Sequence, residues 1–424
     1  MPVPKVFTTS DPDTFKLKAL LWANSFDDAC YFDSNHYSDP YTSFDSFIAA
    51  GAKNKITPST GNSFRELERF LGDKNEFIPG YFAYDLKNEL EDLRSSNPDF
   101  LGFPAMYFFI PENTILIKGS VVTISGPDPE ATWETVSNWI IKALIDNKPV
   151  SVNSRFSKSE YENTVTELKG HIQRGDIYEI NFCQEFYAED ADIDPVSTFI
   201  RLNKISPTPF SSFMKIGERY IISATPERFL SRKGSKLISQ PIKGTYARSS
   251  DAEKDEDQRK SLKADEKELA ENVMIVDLVR NDLTKSAKAG SVKVEELFGV
   301  YSFKQVHQLI STVVCERAEG LSNAQIIANT FPMGSMTGAP KISAMVLAEQ
   351  YERSKRGVYS GAVGYFAPNG DFDLNVVIRT LLYNAENKYL SFHTGGAITI
   401  DSDPEKEYHE CVLKAKAILE VLTQ

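Results

Sequence analysis

The sequence has little of what marks a disulfide-built, zinc-knuckle or membrane protein. Its four cysteines, Cys30, Cys183, Cys315 and Cys411, stand far apart with no Cys-x-x-Cys pair. That argues against a zinc knuckle and against a disulfide framework. No apolar run approaches the roughly 18–20 residues of a membrane span. The opening residues, Met1-Pro2-Val3-Pro4-Lys5, lack the apolar core of a secretory signal. No block of Lys and Arg offsets a net charge of −12, so neither nucleic acid nor an anionic membrane is an expected partner. A reduced, cytoplasmic setting is expected. Internal repeats and low-complexity segments are absent too.

What is present is a chain of 424 residues, 41% hydrophobic, enough for a large core in one domain or two. Polar residues 148–155 mark the best internal boundary, dividing an N-terminal region, 1–150, from a second region, 151–424. In the first, Phe15 to Trp22 reads as strand or helix, and periodicity does not decide. Met106–Ile110, Thr114–Ile117 and Val121–Ile124 read as three strands of a meander. A helix is expected from about Ala131 to Asp146. In the second region, Ser157 and Glu160 form a capping box ahead of a helix that Gly175 ends. Ala252 to Leu283 reads as one helix, Asn375 to Leu382 as a strand, and Pro404 to about Leu422 as a last helix capped by Asp403.

Several residues stand out against this frame. Lys243, in Gln240-Pro241-Ile242-Lys243-Gly244-Thr245, is either a surface charge or a placed amine. A lysine becomes a nucleophile when desolvation or a cationic neighbour lowers its pKa. Glu268 with Glu271, and Glu407 with Glu410, are two Glu-x-x-Glu pairs, each on one helix face. Singly they read as solvated faces; converging, four carboxylates suit a hard cation such as Mg²⁺. Strand alternation puts Arg379 on an apolar face, where a charge needs an anion, either a structural carboxylate or a ligand. Gly334 to Lys341 opens a helix and is a turn or an anion site, but not a Walker A loop. Thr394-Gly395-Gly396 allows close backbone approach.

The sequence resembles the chorismate-utilising enzymes. The stretches that carry the resemblance are GDIYEIN (175–181), TPERF (225–229), PIKGT (241–245), ELAENVMIVDLVRND (268–282), GSMTGAPK (334–341), GAVGY (361–365), IRT (378–380), GGAITIDS (395–402) and EKEYHECVLKAK (405–416). They span 155–424 in the family's order, and GYFAYDL (80–86) extends the likeness more weakly into the N-terminal region.

The resemblance implies an α+β fold, a complex α/β sandwich. Two antiparallel sheets would pack face to face with helices outside, and the N-terminal region would interleave with the catalytic part. It implies Lys243 as the signature of the aminodeoxychorismate synthase branch, where anthranilate synthases carry alanine. In that branch the lysine attacks C2 of chorismate with loss of the 4-hydroxyl. Ammonia then displaces it to give 4-amino-4-deoxychorismate, the precursor of 4-aminobenzoate for folate. Glu227 matches the general acid/base. Glu271 and Glu410 match the Mg²⁺ ligands, and Glu268 and Glu407 the carboxylates that hold metal-bound water. Arg379, Tyr365, Gly395 and Gly396 match the enolpyruvyl carboxylate site. Thr337 and Lys341 match the loop on the ring side.

One position departs from the family. Gln308 stands where a histidine is common, and His307, one residue earlier, belongs to the other strand face. No amidotransferase domain follows Leu422, so ammonia is expected from a separate glutaminase subunit or from free ammonium. The family's N-terminal region sometimes binds tryptophan, and Asp33-Ser34-Asn35 sits where such a pocket begins. Anthranilate synthase component I is the alternative activity. Isochorismate or salicylate synthases use a lysine at another position. A regulatory subunit without catalysis is at odds with the intact set of Lys243, Glu227 and four glutamates.

Overall fold

A computed structural model describes residues 3–59, 61–72, 75–145 and 148–423. It is a mixed α/β fold. Among the described residues twenty strands join in one hydrogen-bonded network, each running antiparallel to the strands it pairs with. The N-terminal third is threaded through the rest. Ile78–Phe82 pairs with Ala362–Phe366, and Asp28–Asp33 pairs with Phe210–Ile216. Two large buried clusters each draw on both ends of the chain. One joins Phe15, Tyr31 and Ile48 to Phe182, Ile398 and Ile418. The other joins Phe47, Tyr81 and Phe108 to Leu230, Val313 and Val376.

Local signals set several elements. Ser157 and Glu160 do form a reciprocal capping box before the helix Lys158–Arg174, and Gly175 ends it in the left-handed region. Pro12–Ala23 is a helix with Asp11 at its N-cap, which decides the ambiguous Phe15–Trp22 stretch. No helix among the described residues is long and apolar enough to cross a membrane. All four cysteines are buried and unpaired.

Four expectations are corrected. The meander is a hairpin of one long strand, Met106–Lys118, with Val121–Ser125. Both arms of the long strand find partners, in Ser46–Ile56 and Ile78–Phe82, so the chain has no reason to turn near Pro111. The helix expected over 131–146 is Pro129–Ser137, and Asp146 lies outside the described residues. The long helix is two, Ala252–Ala264 and Glu266–Thr284. Asp265 breaks it by turning to accept from the N–H groups of Lys267 and Glu268, a local bond that competes with the helix. The strand expected over 375–382 stops at Val376 and resumes at Thr380, because Arg379 between them takes a positive φ of 50°.

Candidate active site

The centre of the site is a distortion at Lys243. In the strand Ile242–Ala247, Ile242 pairs with Ile310 but Thr245 pairs with Gln308. Three steps on one strand oppose two on the other, a bulge at Lys243-Gly244 of the kind that re-aims a side chain. Gly244 makes it possible. Its φ is +97°, and a Cβ there would meet Leu309 at 2.9 Å and Glu268 at 3.2 Å. Asn272, buried on the helix Glu266–Thr284, donates to the carbonyl of Lys243 at 3.1 Å and accepts from Ser311 Oγ at 2.6 Å.

Thus aimed, Lys243 Nζ stands 3.1 Å from Glu179 Oε1, with Glu179 buried and Lys243 mostly so. Burial pulls the ammonium's pKa down, but Glu179, Glu271 and Glu227 outweigh it and hold the amine above the ordinary lysine range. The charged groups acting on this lysine are thus three carboxylates rather than a cationic neighbour. Glu227 lies between the strands Arg219–Thr225 and Arg228–Lys233. Burial pushes its carboxyl up to about 7, against the opposing pull of Ser335, Lys243, the Ile242 N–H and Arg379. A carboxyl at that value is poised to give or take a proton near neutrality.

Arg379 is also drawn in. Burial lowers its guanidinium to about 10, with Glu227 acting against that shift. No hydrogen bond or salt bridge holds the guanidinium among the described residues, so it remains available to an anionic ligand.

The two Glu-x-x-Glu pairs act on one another through their charges. Burial, then Glu271 and Glu410, push Glu268 up to about 7. Burial raises Glu271 against the pull of Lys243 and Lys267, and burial with Glu410 raises Glu407. Glu410 is lowered by Lys414, 2.7 Å away. Gly396 borders this cluster: a Cβ there would stand 3.2 Å from Glu407 and 3.7 Å from Glu410. Gly395 instead faces the neighbouring strand, where a Cβ would meet the Phe182 carbonyl at 1.9 Å. The donors are carboxylate oxygens only, the chemistry of a hard divalent cation that keeps several waters. Among the described residues no group of three or more His, Cys, Asp or Glu side chains is placed to hold a metal ion.

Other expected site residues are placed elsewhere or already engaged. Tyr365 packs among Phe32, Phe44, Phe47 and Phe77 and lines a separate cavity of about 570 Å³. It pairs with Asp373, which binds Arg228. Tyr365 therefore lies on the face of the Arg228–Asp373 pair. Lys341 is spent on Asp282, 2.5 Å away, and on the Pro332 carbonyl at 2.9 Å. Pro340 is the N-cap of Lys341–Tyr351, so Lys341 begins that helix. The Thr337 hydroxyl turns back to the carbonyls of Gly334 and Met333 in its own loop. Gln308 donates to Thr245 Oγ1 at 3.2 Å, and its carbonyl oxygen has no partner among the described residues. His307 faces away, bound to Ser302 and Asp255. The Asp33 carboxylate is already satisfied by Lys16, Tyr31 and Ser46, and Asn35 bonds Asn203 and Ser211.

Sequence reasoning misses Glu179. It is 1% exposed, in a segment whose alternation marks it only as one more strand position. A carboxylate between Tyr178 and Ile180 in a strand is the signal that could have found it, since a buried charge needs a partner.

This fold, with lysine and carboxylates converging beside two glutamate-bearing helices, defines a class: the chain belongs to the chorismate binding enzyme family, whose model matches residues 19–420. It is 31% identical to aminodeoxychorismate synthase component 1 of Escherichia coli K12, over 96% of this chain and 94% of that one. It is 33% identical to anthranilate synthase component 1 of Cereibacter sphaeroides, over 80% of this chain and 72% of that one. Among solved structures, anthranilate synthase component I from Streptococcus pneumoniae TIGR4 superposes with a TM-score of 0.79 at 26% identity, over 90% of this chain and 93% of that one.

Proposed function

We propose that the protein is component I of an aminodeoxychorismate synthase. The observation that carries this reading is Lys243 itself, aimed by a strand bulge into a buried site between Glu227 and the four-glutamate cluster. In the proposed reaction Lys243 Nζ attacks C2 of chorismate and the 4-hydroxyl departs, taking its proton from Glu227. Ammonia then adds at C4 and the lysine leaves, giving 4-amino-4-deoxychorismate for 4-aminobenzoate and folate. A covalent route of this kind divides one hard displacement into two easier ones. Arg379 would pair with a substrate carboxylate through its unengaged guanidinium.

Glu271 and Glu410, with Glu268 and Glu407 behind them, would hold Mg²⁺, which neutralises a substrate carboxylate when bound. The similarity to enzymes named component 1 supports a separate ammonia-supplying glutamine amidotransferase, with free ammonium as substitute. Buried, unpaired cysteines support a reduced cytoplasmic setting. The two buried clusters support reading the strand network as two antiparallel layers face to face. Anthranilate synthase component I is the second reading, favoured by comparable identity to enzymes of that name.

Product identity tests both. The protein is incubated with chorismate, Mg²⁺ and ammonium chloride at mildly alkaline pH, beside Lys243→Ala, and products are identified by mass spectrometry. Aminodeoxychorismate from the wild type and a large rate loss in the variant are expected. Anthranilate from the wild type would install the second reading.

A further inference from the structure

Arg356 lies buried between the helix Lys341–Tyr351 and the strand Ala362–Phe366. A guanidinium has five N–H donors, and here each finds an acceptor. Nε and Nη2 donate to the two oxygens of Glu352 at 2.9 and 2.6 Å. Nη1 donates to the Met336 carbonyl at 2.6 Å and to Ser360 Oγ at 3.3 Å. Nη2 also donates to the Asn181 carbonyl at 2.8 Å. Those two carbonyls belong to separate segments that reach the site. Met336 ends the turn Gly334–Met336, in which the buried Ser335 hydroxyl bonds to the Glu227 carboxyl. Asn181 lies in the strand Glu179–Ala188, two residues after the ion-pair partner of Lys243. Glu352 holds the same strand one step further on, accepting from the Cys183 N–H at 3.1 Å.

The N-terminal region supports this guanidinium. Its central carbon stands 4.6 Å from the centre of the Tyr84 ring. The Tyr84 N–H donates to the Gly357 carbonyl at 2.7 Å, and Asp85 accepts from the Gly357 N–H at 3.1 Å. Residues 80–86 thus bear on the site through Arg356. Stability alone is a poor reason for such an arrangement, because a buried ion pair often does no better than an apolar pair of similar volume. What a planar fork adds is fixed geometry among its acceptors.

We propose that Arg356 is a positioning residue for the reaction: it locks the Gly334–Met336 turn to the strand Glu179–Ala188 and so keeps Ser335 on Glu227 in the geometry from which that carboxyl delivers its proton. The proposal rests on the reading of Glu227 as the acid.

The test is a double-mutant cycle. Wild type, Arg356→Lys, Ser335→Ala and the double variant are assayed with chorismate, Mg²⁺ and ammonium chloride. Product is followed by mass spectrometry, and rates are expressed per folded molecule from circular dichroism. Lysine keeps the charge but not the fork, so it cannot hold both carbonyls. In Arg356→Lys, kcat should fall by about 10²-fold with little change in KM for chorismate. Ser335→Ala should lower kcat too. The double variant should be no slower than the slower single one, since residues acting through one another are not additive. If Arg356→Lys does not fold, Glu352→Gln carries the test, with a smaller fall in kcat and the same non-additivity with Ser335→Ala. A wild-type kcat in either single variant of the cycle overturns the proposal, as does a KM that rises as much as kcat falls. Losses that multiply in the double variant overturn it as well, since that is the mark of a residue that only stabilises the fold. If Glu227→Gln keeps the wild-type rate, the underlying reading of Glu227 fails instead. Anthranilate from the wild type would change the assigned product and leave the cycle to be read on that product.

Discussion

Asn272 Nδ2 donates to the Lys243 carbonyl at 3.1 Å, so a residue on the glutamate-bearing helix fixes the backbone of the candidate nucleophile. The same amide accepts from Ser311 Oγ at 2.6 Å. Asn272→Ala leaves both groups buried without this partner, which costs about 1–3 kcal/mol for each. Urea unfolding should show the loss as a lower midpoint. Because the bulge that aims Lys243 is loosened, kcat should fall more than KM for chorismate rises. An unchanged midpoint would mean that the bulge holds itself.

Glu227 is pushed up to about 7 by burial. As the proton donor to the leaving hydroxyl it must be protonated, so adduct formation should fall tenfold per pH unit above about 7. In Glu227→Gln that alkaline limb should vanish and the rate should drop by about 10²–10⁴-fold. A limb that survives the substitution would assign it to another group.

The glutamate cluster makes a stability prediction. Glu268 titrates near 7 in the folded protein against 4.5 ordinarily, because of burial and of Glu271 and Glu410. Its folded pKa is raised, so the fold binds that proton more tightly than the unfolded chain does. The stabilisation is complete below about pH 4.5 and is lost as pH rises through about 7. In chelator-treated protein, the difference in unfolding midpoint between wild type and Glu268→Gln should therefore shift against the wild type between pH 5 and 7.5. Millimolar Mg²⁺ should reduce the shift. A difference independent of pH would show that Glu268 is not strained.

Gly396→Ala places a Cβ about 3.2 Å from Glu407 Oε2, tighter than most real contacts, while the strand itself tolerates alanine. The Mg²⁺ concentration for half-maximal activity should rise with little change in thermal stability. An unaltered Mg²⁺ requirement would separate Gly396 from the metal.

Lys341 and Asp282 form a buried pair at 2.5 Å. Lys341→Met strands the carboxylate and should cost about 3–5 kcal/mol, and Lys341→Met with Asp282→Leu should recover most of it. Chorismate KM should stay near the wild-type value in the double variant. A large rise there would restore Lys341 to the substrate site.

Much of the site was legible because its parts are short and local. Glu-x-x-Glu on a helix puts both carboxylates on one face whatever the fold, and capping residues choose helix ends within one turn. The motif order was enough to place the chain among the chorismate binding enzymes and to single out Lys243, Glu227 and Arg379. Tertiary structure decided which side chains face each other across the sheet. Register brought Glu179 to Lys243, set Tyr365 on the Arg228 face, and gave Lys341 to Asp282. A single extra residue in a strand, as at Lys243-Gly244, turns a side chain to a new face, and a side chain that caps a neighbour, as Asp265 does, breaks a helix no periodicity would break. Those choices depend on partners far along the chain. The charge state of Lys243 follows from them too, since three carboxylates from separate elements hold its proton.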